Sequence, residues 1–505
     1  MKKTEIRDQR SGIRPAAEWT GETARPSSRH IHLSGICGTA MASLAGLLQL
    51  QGHRITGSDG AAYPPMSDLL QSLGIPILEP YAESNLDPAP DLVVIGNALS
   101  RGNPEVERVL DQRIPFTSMA ALLREEFLAG RESLVVAGTH GKTTTTSMLA
   151  WIYQFAAEEN PALEPSFLIG GVAENFATSF QLRPTRTFIV EGDEYDTAFF
   201  DKGPKFLHYF PDALILTSVE FDHADIYADL EAVKTAFKRL VNLVPRRGVI
   251  VAWDGSPTVT ECVAKAFCRV ERYGFSAGAD WQIQNLRHEA GLTHWQIWHK
   301  GECWAEIESR LAGEHNALNA TAAAALASSQ GIGKQAIKSA LASFKSVKRR
   351  LEVRAEIDGI TIVEDFAHHP TAIRETLRAL RAVYPQSRLW AVLEPRSNTL
   401  RRKVLQTDLV ASLRLADRAL LAGVYKQQNI PDDERLHPED VVRALNALGT
   451  QANLYSDVEA IVNAIAPQLA PGDVVAILSN GGFDGIYEKL PARLKERFPD
   501  HGQPA

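Results

Sequence analysis

Apolar positions in this chain come in short unbroken blocks, each followed by a glycine-rich or polar turn and then by a helix-permissive stretch. Strand-like blocks occur at Arg29–Ser34, Arg54–Gly57, Asp91–Ile95, Leu134–Ala137, Thr187–Val190, Ala213–Leu216, Ile360–Val363, Leu389–Leu393 and Asp473–Leu478. Helical stretches are expected over Ala40–Gln51, from Asn103-Pro104-Glu105 onward, and over Ser147–Ala157, Ala320–Ser329 and Thr371–Val383. Continuous apolar strands that alternate with helices read as βαβ units of a parallel sheet buried on both faces. Polar residues gather just after each strand, on the edge where open α/β sheets bind ligands. No repeat of domain-building length is visible. The segment Arg247–Glu308 alternates around Trp253, Trp281, Trp295, Trp298 and Trp304, and it suggests no chemistry.

The block at Leu134–Ala137 leads into Gly138-Thr139-His140-Gly141-Lys142-Thr143-Thr144. Strand, glycine loop, Lys-Thr and helix is the arrangement that wraps a nucleoside triphosphate. Backbone N–H groups and the helix start face the phosphates, the lysine reaches the outer oxygens, and a hydroxyl can meet Mg²⁺. Val136 stands where the usual first glycine would be, so the loop is short. The N-terminal block enters Gly35-Ile36-Cys37-Gly38-Thr39, and the next strand ends at Ser58-Asp59, where a ribose-binding acid belongs. Cys37 at the second glycine position disfavours a dinucleotide and leaves a nucleoside diphosphate easier to fit. Asn97 lies in a further strand-end turn.

At 505 residues the chain has room for about three domains. With 45% hydrophobic and 23% charged residues it can bury several cores, and a net charge of -8 argues against general nucleic-acid affinity. Its four cysteines, Cys37, Cys262, Cys268 and Cys303, form no CxxC pair, which points to a reducing compartment. No apolar run reaches membrane-spanning length. Residues 1–28 are polar and read as a disordered extension. The expected plan is α/β with mostly parallel sheets: a Rossmann-like domain over 29–130, a P-loop ATPase-like domain over 131–347, a second Rossmann-like domain over 348–495, and a tail over 496–505.

Carboxylates crowd the strand end Glu191-Gly-Asp193-Glu194-Tyr-Asp196, and beside a phosphate loop such a group suits Mg²⁺. Glu220-Phe-Asp222-His223-Ala-Asp225 offers a second candidate metal ligand in His223. Asn316 and Asn319 share a helix face and can reach one ligand. Phe344–Leu351 reads as a basic linker into the third domain, whose arginines could clamp a transferring phosphate.

The stretches GICGTAMASLA, GSD, AGTHGKTTTT, EGDEYD, EFDHADIY, GEHNALNA, KRRLE, EDFAHHPTAI and LEPRSNT, in this order, resemble the Mur ligase family over about residues 29–490. That resemblance implies an enzyme, an ATP-dependent ligase acting through an acyl phosphate on UDP-N-acetylmuramate, with ATP and Mg²⁺ and a bacterial cytoplasmic setting. It also implies small-molecule substrates rather than nucleic acid or membrane. Residue by residue, it places ATP on Gly138, Thr139, His140, Gly141, Lys142, Thr143, Thr144, Asn316, Asn319, Arg350 and Asp365. Mg²⁺ falls to Thr143 or Thr144, Glu191 and His223. The UDP-sugar falls to Gly35, Cys37, Gly38, Thr39, Ser58, Asp59 and Asn97. The chemistry would involve Lys142, Glu191, His223, Arg350, Asp365 and His369, and the acceptor would meet His368, Arg396 and Asn398. Ser218 replaces an asparagine frequent in relatives, and no counterpart of the lysine that some members carbamylate is found. Asp59–Met66, Glu194–Lys202 and Leu478–Ile486 are similar to the branch that adds a preformed tripeptide, with Lys202 and the Ser479–Gly482 backbone as candidate acceptor contacts. The alternatives are the branch that adds L-alanine, an inactive nucleotide-binding scaffold, and a dinucleotide oxidoreductase.

Overall fold

The computed structural model describes residues 28–62 and 64–499. All but the last residue of the expected extension, the end of the expected tail, and Tyr63 of the Asp59–Met66 stretch lie outside the described residues.

The first sheet holds β1 (His30–Ser34), β2 (Arg54–Ser58), β3 (Ile77–Leu78), β4 (Leu92–Ile95) and β5 (Phe116–Ser118). All pairs are parallel, in the order β3-β2-β1-β4-β5. Winding reverses between β1 and β4, which opens a crevice at the carboxyl ends of these strands. The helix Pro104–Gln112 starts as expected. Asn103 accepts from the N–H groups of Glu105 (3.0 Å) and Val106 (3.3 Å), and proline needs no partner at the first position.

The second sheet has ten strands. They come from β6 (Glu132–Ala137), β7 (Ser166–Ala173), β8 (Thr178–Gln181), β9 (Thr187–Gly192), β12 (Ala213–Leu216), β13 (Val249–Trp253), β14 (Arg269–Gly274), β15 (Trp281–Glu289), β16 (Leu292–His299) and β17 (Glu302–Ser309), while β10 (Asp196–Ala198) and β11 (Asp201–Pro204) form a separate hairpin. The order is β17-β16-β15-β14-β13-β12-β6-β9-β7-β8, with an antiparallel ribbon β15–β17 at one edge. That ribbon carries Trp281, Trp295, Trp298 and Trp304 of the tryptophan-rich segment, while Trp253 ends the parallel strand β13. Trp281, Ile283, Trp295, Ile297, Ala305 and Ile307 are buried on one face, and Trp295 donates to Thr321 (3.2 Å) on the helix Glu314–Ser329. Its role in the fold is therefore packing, and its alternation is that of a sheet covered on one side.

The third sheet joins β18 (Glu352–Ile357), β19 (Ile360–Asp365), β20 (Leu389–Leu393), β21 (Arg418–Ala422), β22 (Gln451–Tyr455) and β23 (Val474–Leu478) in the order β18-β19-β23-β20-β21-β22. Only β18 runs antiparallel in it. The fold is thus α/β with mostly parallel sheets.

Three local boundaries differ from expectation. The phosphate-loop helix spans Lys142–Ala156, since Gly141 (φ 79) turns the chain directly into it. The alanine-rich helix begins at Glu314 after Gly313 (φ 96), so Asn316 and Asn319 lie inside it rather than ahead of it. Glu191 is part of β9 rather than of the turn beyond it.

One apolar core runs through the first two sheets, joining Ile31, Leu44 and Leu47 to Val135, Phe180 and Phe188. Phe180 presses on Gly46, where a Cβ would stand 2.1 Å from its ring. The apolar cores of the third sheet draw on that sheet's own part of the chain.

Candidate active site

Gly35 (φ +83) and Ile36 both donate to the Ser58 carbonyl, at 2.8 and 3.0 Å, so the end of β2 fixes the turn after β1. Asp59 accepts from the Cys37 N–H (2.9 Å) and the Tyr81 hydroxyl (3.2 Å). It therefore braces the loop it was expected to serve. Burial, and then the Asp59 charge, push the Cys37 thiol up to about 12, so it is a packing group. Gly38 starts the helix at Thr39 without a side-chain cap, and Asn97 is half-buried in the turn after β4. Beneath the turn lies Glu105, fully buried, accepting from Ser34, Ser58 (2.6 Å) and Asn85 (2.8 Å), with His32 at 3.6 Å. Burial alone would raise this carboxyl, but the bonds from His32, Ser34, Ser58 and Asn85 outweigh it and hold it at about 2.

In the phosphate loop, Thr139 donates to the Ser218 carbonyl (2.9 Å) and the His140 N–H to the Ser218 hydroxyl (2.9 Å). Ser218 thus binds the loop through both its carbonyl and its hydroxyl. Cβ atoms would not fit at Gly138, 2.1 Å from the Thr217 hydroxyl, or at Gly141, 2.5 Å from the Asn319 amide oxygen. Asn319 therefore lies against the loop, while Asn316 donates to the Ala312 carbonyl (2.8 Å). The helix start at Lys142 has no side-chain cap, which leaves its N–H groups for an anion.

Lys142 folds back onto the Gly138 carbonyl (2.7 Å) and onto Glu194 (2.8 Å). His223 Nε2 is 3.2 Å from the same carboxylate. Burial opposes the charged form of His223, yet the Glu194 bond and the charges of Glu194 and Asp222 push it up to about 9. Thr143 donates to Glu191 Oε1 (2.9 Å), and the Gly170 N–H donates to Oε2 (2.7 Å). Burial raises the Glu191 carboxyl against the pull of Lys142. A threonine hydroxyl and a carboxylate at the end of an uncapped helix fit Mg²⁺, which prefers few carboxylates plus phosphate oxygens. Thr144, also buried, belongs to the same helical turn.

The third sheet meets this site through polar groups. Thr371 donates to Glu220 Oε2 (2.6 Å), Thr399 to Asp222 (2.6 Å), and Asn398 to Asp225 (2.9 Å). His369 caps the helix Pro370–Val383, and its ring lies 4.7 Å from that of His140. Burial pulls His369 down to about 4; Glu220 sits at about 2, because bonds from His140 and Thr371 overcome burial. His368 is tied to the Phe366 carbonyl (2.8 Å). Asp365 accepts from Leu351 N (2.8 Å), Ala367 N (2.8 Å) and the Thr376 hydroxyl (3.2 Å), so it holds the arginine linker in place. Arg350 lies over the Phe366 ring at 5.0 Å, whereas neighbouring Arg349 is bound to Glu364 and to the Ser479 and Gly481 carbonyls. Arg396 lies over Tyr425 (4.0 Å) and against Gly481, while Lys202 spends its charge on Asp196 (2.6 Å) within the β10–β11 hairpin.

Lys142, Thr143, Glu191 and His223 are thus together, with His369, Asn398 and the linker closing from the third sheet. Reasoning from sequence missed Glu194, Glu220, Thr371 and Thr399. Glu194 was visible inside the acidic block, but nothing local marks which carboxylate of such a block turns inward.

The fold and this site define a three-sheet α/β protein built around a phosphate loop. The chain matches the Mur ligase family catalytic domain over residues 30–130, the Mur ligase middle domain over 136–327, and the Mur ligase glutamate ligase domain over 349–481. It is 43% identical over 461 residues to the UDP-N-acetylmuramate–L-alanyl-γ-D-glutamyl-meso-2,6-diaminoheptandioate ligase of Escherichia coli K12, covering 91% of this chain and 97% of that protein. To a UDP-N-acetylmuramate–L-alanine ligase of Lachnoclostridium phytofermentans it is 32% identical, covering 91% and 97%. A crystal structure of a murein peptide ligase from Psychrobacter arcticus superposes with a TM-score of 0.69 at 36% identity, covering 92% of this chain and 99% of that one. The chain belongs to the Mur ligase family. Among its described residues no helix is long and apolar enough to cross a membrane.

Proposed function

We propose that this protein is an ATP-dependent ligase that joins the lactyl carboxylate of UDP-N-acetylmuramate to the amine of L-alanyl-γ-D-glutamyl-meso-diaminopimelate, as a cytoplasmic step of wall-peptide recycling. The observation that carries it is full-length likeness to a relative of that name, at 43% identity against 32% for an alanine-adding one. ATP would transfer its γ-phosphoryl group to the carboxylate, giving an acyl phosphate and ADP. The amine would then attack the carbonyl carbon, and the tetrahedral adduct would expel phosphate to leave an amide.

The site supplies what this chemistry needs. The uncapped helix at Lys142 offers N–H groups to the phosphates. Lys142, held against the Gly138 carbonyl of the loop and by Glu194, would turn to a phosphoryl oxygen and stabilise its charge. Thr143 and Glu191 would hold Mg²⁺ with His223 as a further ligand, and the ion would neutralise phosphate charge. The Gly35–Thr39 turn, with Ser58, Asp59 and Asn97, would seat the UDP-sugar. Asn316, Asn319, Arg350 and Asp365 would contact or position the nucleotide. His368, His369, Arg396 and Asn398 would meet the acceptor and the phosphate in transit.

Phosphate release with ATP, Mg²⁺ and UDP-N-acetylmuramate tests this reading. The kcat/KM for the tripeptide should greatly exceed that for L-alanine, because remote acceptor groups help to align the amine. A preference for free L-alanine would make the protein the alanine-adding enzyme instead.

A further inference from the structure

His140, Glu220 and His369 bring a nitrogen, an oxygen and a nitrogen within 4.8 Å of one another. Each comes from a different part of the structure. His140 belongs to the phosphate loop, Glu220 follows β12 of the second sheet, and His369 caps the first helix after β19 of the third. His140 Nε2 lies 3.3 Å from Glu220 Oε2, and His369 Nδ1 lies 3.7 Å from the same oxygen.

The groups around them fix the tautomer of His369 and hold the carboxylate. His369 Nε2 is 3.3 Å from the Phe221 carbonyl. A carbonyl only accepts, so the proton sits on Nε2 and Nδ1, 3.7 Å from Glu220 Oε2, is the unprotonated nitrogen. A ring held through its far nitrogen by a carbonyl is the usual support for a metal-bound imidazole. Thr371 holds the carboxylate in place through its 2.6 Å bond to Oε2, the oxygen nearest both rings. The Thr371 N–H reaches His369 Nδ1 at 3.3 Å, and an ion would displace this contact.

We infer that His140, Glu220 and His369 form a site for a borderline divalent ion such as zinc, and that the ion pins the third sheet's domain against the phosphate loop. Two imidazoles and one carboxylate suit Zn²⁺, Co²⁺ or Ni²⁺ far better than Mg²⁺, and three protein ligands leave a position for water or an oxyanion. The site shares His140 with the proposed ATP loop and His369 with the groups proposed to meet the phosphate, but none of Thr143, Glu191 and His223, the residues proposed for Mg²⁺. Because the ligands span two domains, an ion at this place acts as a latch: it holds the closed arrangement and slows turnover. The inference stands whichever amine the enzyme accepts.

The test is a titration of the full-length protein with Co²⁺, without nucleotide and with Mg²⁺ in excess, followed by visible absorption. One equivalent of Co²⁺ should give ligand-field bands that Zn²⁺ abolishes and added Mg²⁺ does not. Glu220→Gln keeps the shape of the side chain but loses its charge, and should weaken binding by about tenfold or more. His369→Asn keeps a good helix cap and removes the imidazole, so it should fold and fail to bind. Zn²⁺ should also protect the Lys345–Arg350 linker from trypsin in the native protein but not in His369→Asn. Absence of the bands, or unchanged Co²⁺ binding in both variants, would overturn the site. Binding that leaves linker cleavage unaltered would overturn the latch.

Discussion

Lys142 makes its contacts with oxygen atoms of its own loop and with the carboxylate of Glu194, which is only 2% exposed. Its charge is therefore stored close to where it is used. Lys142→Ala should lower kcat by about 10²–10³, since one positioned charge is lost. It should also lower the melting temperature, because Glu194 then keeps only His223 as a partner. Phosphate release and circular dichroism read the two effects, and near-normal turnover in a folded variant would remove the loop from the mechanism. Glu191→Ala and His223→Ala should each raise the Mg²⁺ concentration needed for half-maximal rate; unchanged Mg²⁺ titrations in both would rule these side chains out as ligands.

Glu105 gives a pH test at the same scale. Its folded value of about 2 lies below the ordinary 4.5, so its contribution is present above pH 4.5 and is lost as pH falls toward 2. The shift corresponds to about 3 kcal/mol at neutral pH. Denaturation of the native protein should show this acid slope, and Glu105→Gln should flatten it. An equal slope in the variant would refute the assignment.

Among the elements, the contacts of the third sheet with the second are a row of short polar bonds from Thr371, Asn398 and Thr399 to Glu220, Asp225 and Asp222. Asn398→Asp sets a second carboxylate beside Asp225, and the Tyr195 hydroxyl bonded there can satisfy only one of them. The expected result is a looser closure: a larger radius of gyration by small-angle scattering and a lower kcat/KM. Identical scattering would show that this bond does not hold the domain. Elements were legible where local chemistry decides them. Asn103-Pro104 announced its helix, and the unbroken Leu389–Leu393 and Ala213–Leu216 runs have the strand bounds the pattern predicts. Where a glycine's left-handed turn starts a helix, as at Gly141 and Gly313, sequence pattern placed the start too late. The bonds between domains were not legible at all, because Glu220 and Thr371 are distant in the chain and each is an ordinary surface residue by type.

For the whole molecule, the distribution of apolar cores matters more than the number of sheets. The first two sheets share one core through Phe180 and Gly46, while the third keeps its own. Calorimetry should therefore resolve two transitions, one for the third sheet's domain and one for the joined pair. Gly46→Val would drive a side chain into Phe180 and should lower only the second. A single cooperative transition, or an equal shift of both, would show that the polar bonds couple the domains more strongly than the cores imply.

A domain whose core closes on itself can be exchanged without repacking its neighbours. The pair that carries the phosphate loop and the Gly35 turn meets the third domain through hydrogen bonds and the close approach of Ala379 to Gly313, so a third domain from a relative must match both. Such an exchange would be made at the stretch where Val347 pairs with Ala173 and the Lys348 N–H bonds the Val172 carbonyl. Grafts cut after that anchor inherit their hinge intact, and grafts cut before it must rebuild one.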